Sequence, residues 1–119
     1  MNVIRTAVPR MAEHGSITLL SSIAALSPAG PESGLSVMSG VQAAIVQTGR
    51  SLARDLSPRR VNIIAPGVVL TNVWTAQERD RLARWMETGL PVRRTGEPHR
   101  IATAAVGPLR DRRSPHRRW

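Results

Sequence analysis

No cysteine, lysine or tyrosine occurs anywhere in the 119 residues. Without cysteine the chain forms no disulfide and offers no thiolate to a metal, which makes the cytoplasm the expected compartment. Without lysine and tyrosine it has neither an ammonium side chain nor a phenol. Long apolar runs are missing too. Pro, Gly or Arg interrupts each run before the roughly 18 residues that a membrane-spanning helix requires. Arg5, Arg10, Glu13 and His14 break up the beginning of the chain, so no secretory leader core is expected there. This length leaves room for one modest domain.

What is present is basic. The formal net charge is +9, and all 17 basic residues are arginine. Arg110, Arg112, Arg113, Arg117 and Arg118 crowd the end of the chain beside Pro115 and Trp119. Such a run can neutralise phosphates, which would suit a basic nucleic-acid-associated protein. The plainer reading of residues 107–119 is a solvated, disordered Arg/Pro tail. No nucleic-acid-binding motif accompanies the run, and Trp119 is the one residue in it able to stack on a base.

Along the chain, residues 2–13 place Val3, Ile4, Ala7, Val8 and Met11 near helical spacing, with Pro9 forcing a kink or a second start. Gly15 suits the left-handed position that ends a helix. Residues 16–20 suit a buried strand, and Ser21-Ser22 lies at its carboxyl end. Residues 27–34, rich in Pro, Gly and Ser, predict a loop. A helix then begins near Ser36, with Val37, Val41, Ala44, Ile45, Thr48, Leu52 and Leu56 as its apolar stripe. Gly40 and Gly49 permit close packing against another helix. Ser57-Pro58 stops it.

Residues 61–65 (Val-Asn-Ile-Ile-Ala) form a short apolar run suited to a buried parallel strand. Pro66-Gly67 ends it, because proline cannot donate to a ladder and glycine lets the chain turn out of the sheet. Strand, helix and strand within about fifty residues make a βαβ unit, whose crossover is right-handed. Ligands of open α/β sheets bind beyond the carboxyl ends of strands, so residues 68–71 are a candidate binding loop with the Thr71 hydroxyl available. An ordinary turn is the alternative. Thr75-Ala76-Gln77-Glu78 is a capping box opening a further helix, with Leu82, Trp85, Met86 and Leu90 on one face and Arg79, Asp80, Arg81 and Arg84 on the other. That helix is either a lid over a ligand or a plain docked surface helix. Gly96-Glu97-Pro98 opens a last helix, whose apolar pattern from Ile101 to Val106 collapses at Gly107-Pro108.

Four segments in this order resemble the short-chain dehydrogenase/reductase (SDR) family. They are residues 15–25 with Ser21-Ser22, Gln42-Ala43-Ala44 with Arg50-Ser51-Leu52-Ala53, residues 60–71 with Pro66-Gly67, and Leu90-Pro91-Val92 with Arg94, Gly96, Pro98 and Ile101-Ala102. The resemblance covers roughly residues 1–106 and implies the carboxyl-terminal half of a Rossmann-type, doubly wound parallel sheet, truncated at both ends. It implies NAD- or NADP-dependent hydride transfer to or from a small carbonyl or alcohol. Ser22 matches the family serine that bonds the substrate carbonyl, with Ser21 its neighbour. Pro66, Gly67, Val69 and Thr71 match the loop that holds the nicotinamide end. The family tyrosine and lysine fall on Met38 and Gln42. Methionine has no transferable proton and glutamine no charge, so a family-type proton relay is absent. The family's glycine-rich phosphate turn has no counterpart either. The resemblance also implies helix-mediated association through residues 1–13 and 36–56, with Val37, Val41, Ile45 and Leu52 as contacts. The expectation is an SDR fragment inactive on its own, or else an interaction fragment that docks on a full-length dehydrogenase.

Overall fold

In the computed structural model, residues 2–27, 34–89 and 94–106 are described. Two five-residue strands lie at the centre: β1 (Ser16–Leu20) and β2 (Arg60–Ile64). They pair in parallel, in a register that sets Ser16 beside Arg60 and Leu20 beside Ile64. The ladder opens with the Arg60 amide donating to the Gly15 carbonyl at 2.9 Å. Parallel strands need a long crossover. Here it is supplied by the 20-residue helix α2 (Ser36–Asp55), which packs on both strands. The expected βαβ unit is therefore present, although the second strand runs over 60–64 rather than 61–65.

Around it sit α1 (Asn2–Ala7), α3 (Ala76–Gly89) and α4 (Pro98–Val106), the last against β2. The single helix expected over residues 2–13 is split. Pro9 cannot donate the amide that an α-helix interior requires, and a separate 3-10 turn, Val8–Arg10, begins there with the proline in its first turn. Gly15 is not left-handed, because among the described residues Gly34 is the glycine with positive φ, at +86°. Gly15 matters for space instead. A Cβ on it would stand 3.0 Å from both the Ala12 carbonyl oxygen and the Met11 Cε.

Gly49 is the contact between α2 and the sheet. A Cβ there would lie 2.7 and 2.8 Å from Ile63 Cγ1 and Cδ1 and 3.1 Å from Leu19 Cδ1. The expectation of a helix–helix contact at the two glycines is thus corrected. Gly49 seats α2 on the strands, while nothing stands within 4 Å of a Cβ at Gly40. The apolar stripe of α2 is likewise only partly covered. Ile45, Leu52 and Leu56 are half-buried, whereas Val37 and Val41 remain 77% and 55% exposed. The strands are less buried than their sequences suggest, with Leu20 60% exposed, because the described sheet has only two strands.

α3 begins as expected. Thr75 Oγ1 donates to Glu78 Oε2 at 2.7 Å and accepts from the Glu78 amide at 3.3 Å, while the Thr75 amide donates to Glu78 Oε2 at 2.7 Å. This is the reciprocal capping box. The Thr75 hydroxyl first, then its amide, and weakly Arg81 hold the Glu78 carboxyl below the ordinary glutamate pKa. A lowered folded-state pKa gives stability that is present above the unfolded value and lost as pH falls through the folded one. Glu78→Gln is therefore expected to lower Tm at neutral pH, with the difference from wild type closing below the ordinary glutamate range. Thermal melts at neutral and acid pH test this, and a pH-independent difference would refute the ionic cap. Leu82 on the inner face of α3 is 2% exposed, and Trp85 and Met86 are half-buried. Leu90, most of the 27–34 loop, and the 107–119 tail lie outside the described residues.

Candidate active-site edge

Where β1 ends, its pairing with β2 continues through the backbone. The Ser21 amide donates to the Ile64 carbonyl and the Ile23 amide to the Pro66 carbonyl, each at 2.8 Å. Ser22 lies between these two bonds in extended conformation, φ −145° and ψ 154°. The two bonds bring the serine segment and the Pro66-Gly67 turn side by side at the carboxyl edge of the sheet, where open α/β folds bind ligands.

The adjacent serines are used differently. Ser21 is 7% exposed, and its Oγ donates to the Gln42 carbonyl at 2.9 Å, clipping the end of β1 to α2. Ser22 is half-buried, and its Oγ accepts from the Ala24 amide at 3.2 Å, capping a 3-10 turn over Ile23–Ala25. As an acceptor there, the Ser22 hydroxyl still has its proton to donate. A serine facing a carbonyl oxygen needs that property.

Past Gly67 the chain is held by a second set of bonds. The Gly96 amide donates to Val68 at 2.7 Å and the Leu70 amide to Gly96 at 3.1 Å, making a parallel bridge between Val69 and Gly96. Trp74 Nε1 donates to the Val69 carbonyl at 2.9 Å. Arg79 reaches back from α3, donating through Nη2 to Thr71 at 2.9 Å and through Nε to Trp74 at 3.2 Å. The Thr71 Oγ1 accepts from the Val73 amide at 3.4 Å. Neither Trp74 nor Arg79 stood out in the sequence, where Arg79 reads as one charge on the solvent face of a helix.

Met38 and Gln42 sit one turn apart on α2. Met38 is 51% exposed, and Gln42 Oε1 is buried with no hydrogen-bond partner among the described residues. Neither side chain can act as an acid or base near neutral pH. The described surface also has two grooves along α2, lined by Ala44, Thr48 and Leu52 and by Arg50 and Arg54, with Gln47, Ser51 and Asp55 shared. None of the candidate site residues lines either groove. Among the described residues no cluster of His, Asp or Glu is suited to a metal ion, and no helix is long and apolar enough to cross a membrane.

Most of the chain has counterparts in known proteins. A family described as enoyl-(acyl carrier protein) reductase matches residues 1–114. The chain belongs to the short-chain dehydrogenase/reductase family. An uncharacterized oxidoreductase of Mycobacterium tuberculosis is 41% identical to this SDR chain over 105 residues, covering 84% of the chain and 39% of the relative. A crystal structure of a small-chain dehydrogenase in complex with NADPH superposes with a TM-score of 0.73 at 32% identity, over 85% of this chain and 46% of that one. A 3-oxoacyl-(acyl-carrier protein) reductase from Brucella melitensis with bound NAD gives a TM-score of 0.68 at 29% identity, over 87% and 38% of the respective chains. The SDR chain thus spans less than half the length of each of these three proteins. Its two parallel strands and flanking helices match the Rossmann-type fold of the SDR structures over that part.

Proposed function

We propose that this SDR chain keeps the substrate- and nicotinamide-facing edge of an NAD(P)-dependent oxidoreductase but does not catalyse hydride transfer by itself. The observation that carries this reading is that the Ser21–Ile64 and Ile23–Pro66 bonds hold the Ser22 segment beside the Pro66-Gly67 turn, in a chain with no tyrosine or lysine. Met38 and Gln42 would stand at the two proton-relay positions. Ser22 would donate to a substrate carbonyl. Pro66, Gly67, Val69 and Thr71 would line the nicotinamide end of the cofactor, which supplies the hydride when bound. The fit at Gly67 is favourable, since the residue is exposed and a Cβ there would meet nothing within 4 Å, leaving its backbone open to close approach. The substrate class is a small carbonyl or alcohol and the compartment the cytoplasm, in keeping with the family chemistry and the lack of cysteine.

Titrating NADPH and NADH into the chain while following tryptophan fluorescence and Tm tests this reading. The expected result is saturable binding in the millimolar range, weak because no glycine-rich phosphate turn is present in these residues. No consumption of NADPH above the buffer rate is expected with an added aldehyde or ketone. Absence of any shift at millimolar cofactor would remove the binding claim, and steady turnover would remove the claim of catalytic silence.

A second reading rests on Val37 and Val41, which α2 leaves 77% and 55% exposed. They suit an interaction fragment that docks on a full-length dehydrogenase through this helix. Val41→Glu is expected to abolish co-purification with such a partner while leaving Tm within about 2 °C, as for an exposed site. Retention of the partner by the variant would remove that reading.

A further inference from the structure

We propose that Trp74 and Arg79 are positioning residues that set the ligand loop in one conformation before a ligand arrives. This rests on the reading of residues 66–71 as the nicotinamide loop. Two of the four residues assigned to that loop, Val69 and Thr71, have their carbonyl oxygens taken by these side chains, at 2.9 Å in each case. The indole N–H of Trp74 is donor-only, so its bond to Val69 fixes the direction of that peptide plane. The Arg79 guanidinium presents several donors in a rigid planar fork, and two of them bridge Thr71 and Trp74 across the turn that follows the loop. On the other side the Val69–Gly96 bridge holds the same segment.

The latch is anchored at its base. Arg79 stands in the first turn of α3, directly after the Thr75–Glu78 capping box, and the Arg79 amide donates to the Thr75 carbonyl at 3.0 Å. The N-terminal turn of α3 meets the loop through these polar contacts, and the buried Leu82 anchors the helix further along. Fixing the Thr71 and Val69 carbonyls also restricts the neighbouring groups, the Thr71 hydroxyl among them, that would face a ligand. A ligand meeting a preset loop does not bear the cost of ordering it.

Hydrogen exchange of the full chain, together with NADPH titration, tests the latch. Trp74→Phe keeps the ring and removes the donor, while Arg79→Gln keeps the stem and removes the fork. Each is expected to speed exchange of the Leu70 and Gly96 amides about five-fold, the effect of losing one hydrogen bond of ordinary strength. The β1 and β2 amides should exchange as in wild type, and NADPH should bind about five-fold more weakly. Arg79→Lys, which keeps the charge but reaches one carbonyl at a time, should fall between Arg79→Gln and wild type. Unchanged exchange at Leu70 and Gly96 in both variants would overturn the proposal. So would an equal rise in β1 and β2, which would mark general destabilisation. Failure of the wild-type chain to bind NADPH would instead overturn the proposed function, with exchange still deciding whether the latch exists.

Discussion

Gly49→Val is expected to destabilise the chain by at least about 3 kcal/mol, the upper part of the usual range for overpacking. A Cβ alone at this position would already stand 2.7 Å from Ile63 Cγ1 and 3.1 Å from Leu19 Cδ1, and valine adds two further methyl groups. The main obstacle cannot swing aside easily, because Ile63 is β-branched and is held within the β2 ladder opposite Leu19. α2 must therefore lift off the strands, weakening the βαβ unit as a whole. Gly49→Ala is a finer test. Alanine gains about 1 kcal/mol in helix propensity over glycine, so a net loss in urea melts would show that steric contact outweighs propensity. A Gly49→Ala variant more stable than wild type would mean that α2 does not sit this close to Ile63 and Leu19. The effect is large relative to the reserve. Leu82 is the buried apolar residue among the described positions, and native domains have only about 5–15 kcal/mol to lose.

Much of this architecture is legible in the sequence, and the parts that are not share a physical cause. Local signals translate directly: the apolar run of β1, the Pro-Gly stop after β2, and the capping box at Thr75 each describe neighbours in the chain. Pro9 announces a break, and the structure resolves it as a 3-10 turn. Periodicity on α2 identifies apolar residues but says nothing about how much of the stripe has a partner, so Val37 and Val41 read like Ile45 although they face solvent. Contacts between distant residues leave still less trace. Ser21 and Ser22 are chemically identical in the sequence, and the bond across 21 positions to Gln42 distinguishes the clip from the available hydroxyl. The hold of Trp74 and Arg79 on the loop depends on where a turn places two carbonyls, which no residue type encodes. Met38 and Gln42 are the opposite case. These 119 residues contain no tyrosine or lysine, so composition alone excludes a tyrosine–lysine pair within them whatever the alignment.

That exclusion leads to an expected gain of function. Combining Met38→Tyr with Gln42→Lys should raise carbonyl reduction at millimolar NADPH about 10²–10⁴-fold over wild type, the usual contribution of a positioned general acid. Positions 38 and 42 are one helical turn apart and so share a face of α2. Met38 is 51% exposed, so a tyrosine ring can be accommodated there without displacing a packed neighbour. The lysine ammonium would favour phenolate and lower the pKa of the new tyrosine from about 10, bringing proton transfer nearer the working pH. Because the chain has no other tyrosine, ultraviolet titration would report that single phenol without overlap from another. The phenol should titrate lower in the double variant than in Met38→Tyr alone. Gln42→Lys alone should remain near background, since position 38 would still be a methionine with no proton to deliver to the substrate oxygen. Adding Ser22→Ala to the double variant should remove most of the gain, because the substrate carbonyl would lose its hydrogen-bond donor beside the Pro66-Gly67 turn. A double variant that binds NADPH as wild type does, shows the lowered phenol pKa, and still stays at background would overturn the proposal that a missing proton relay keeps this chain from turnover.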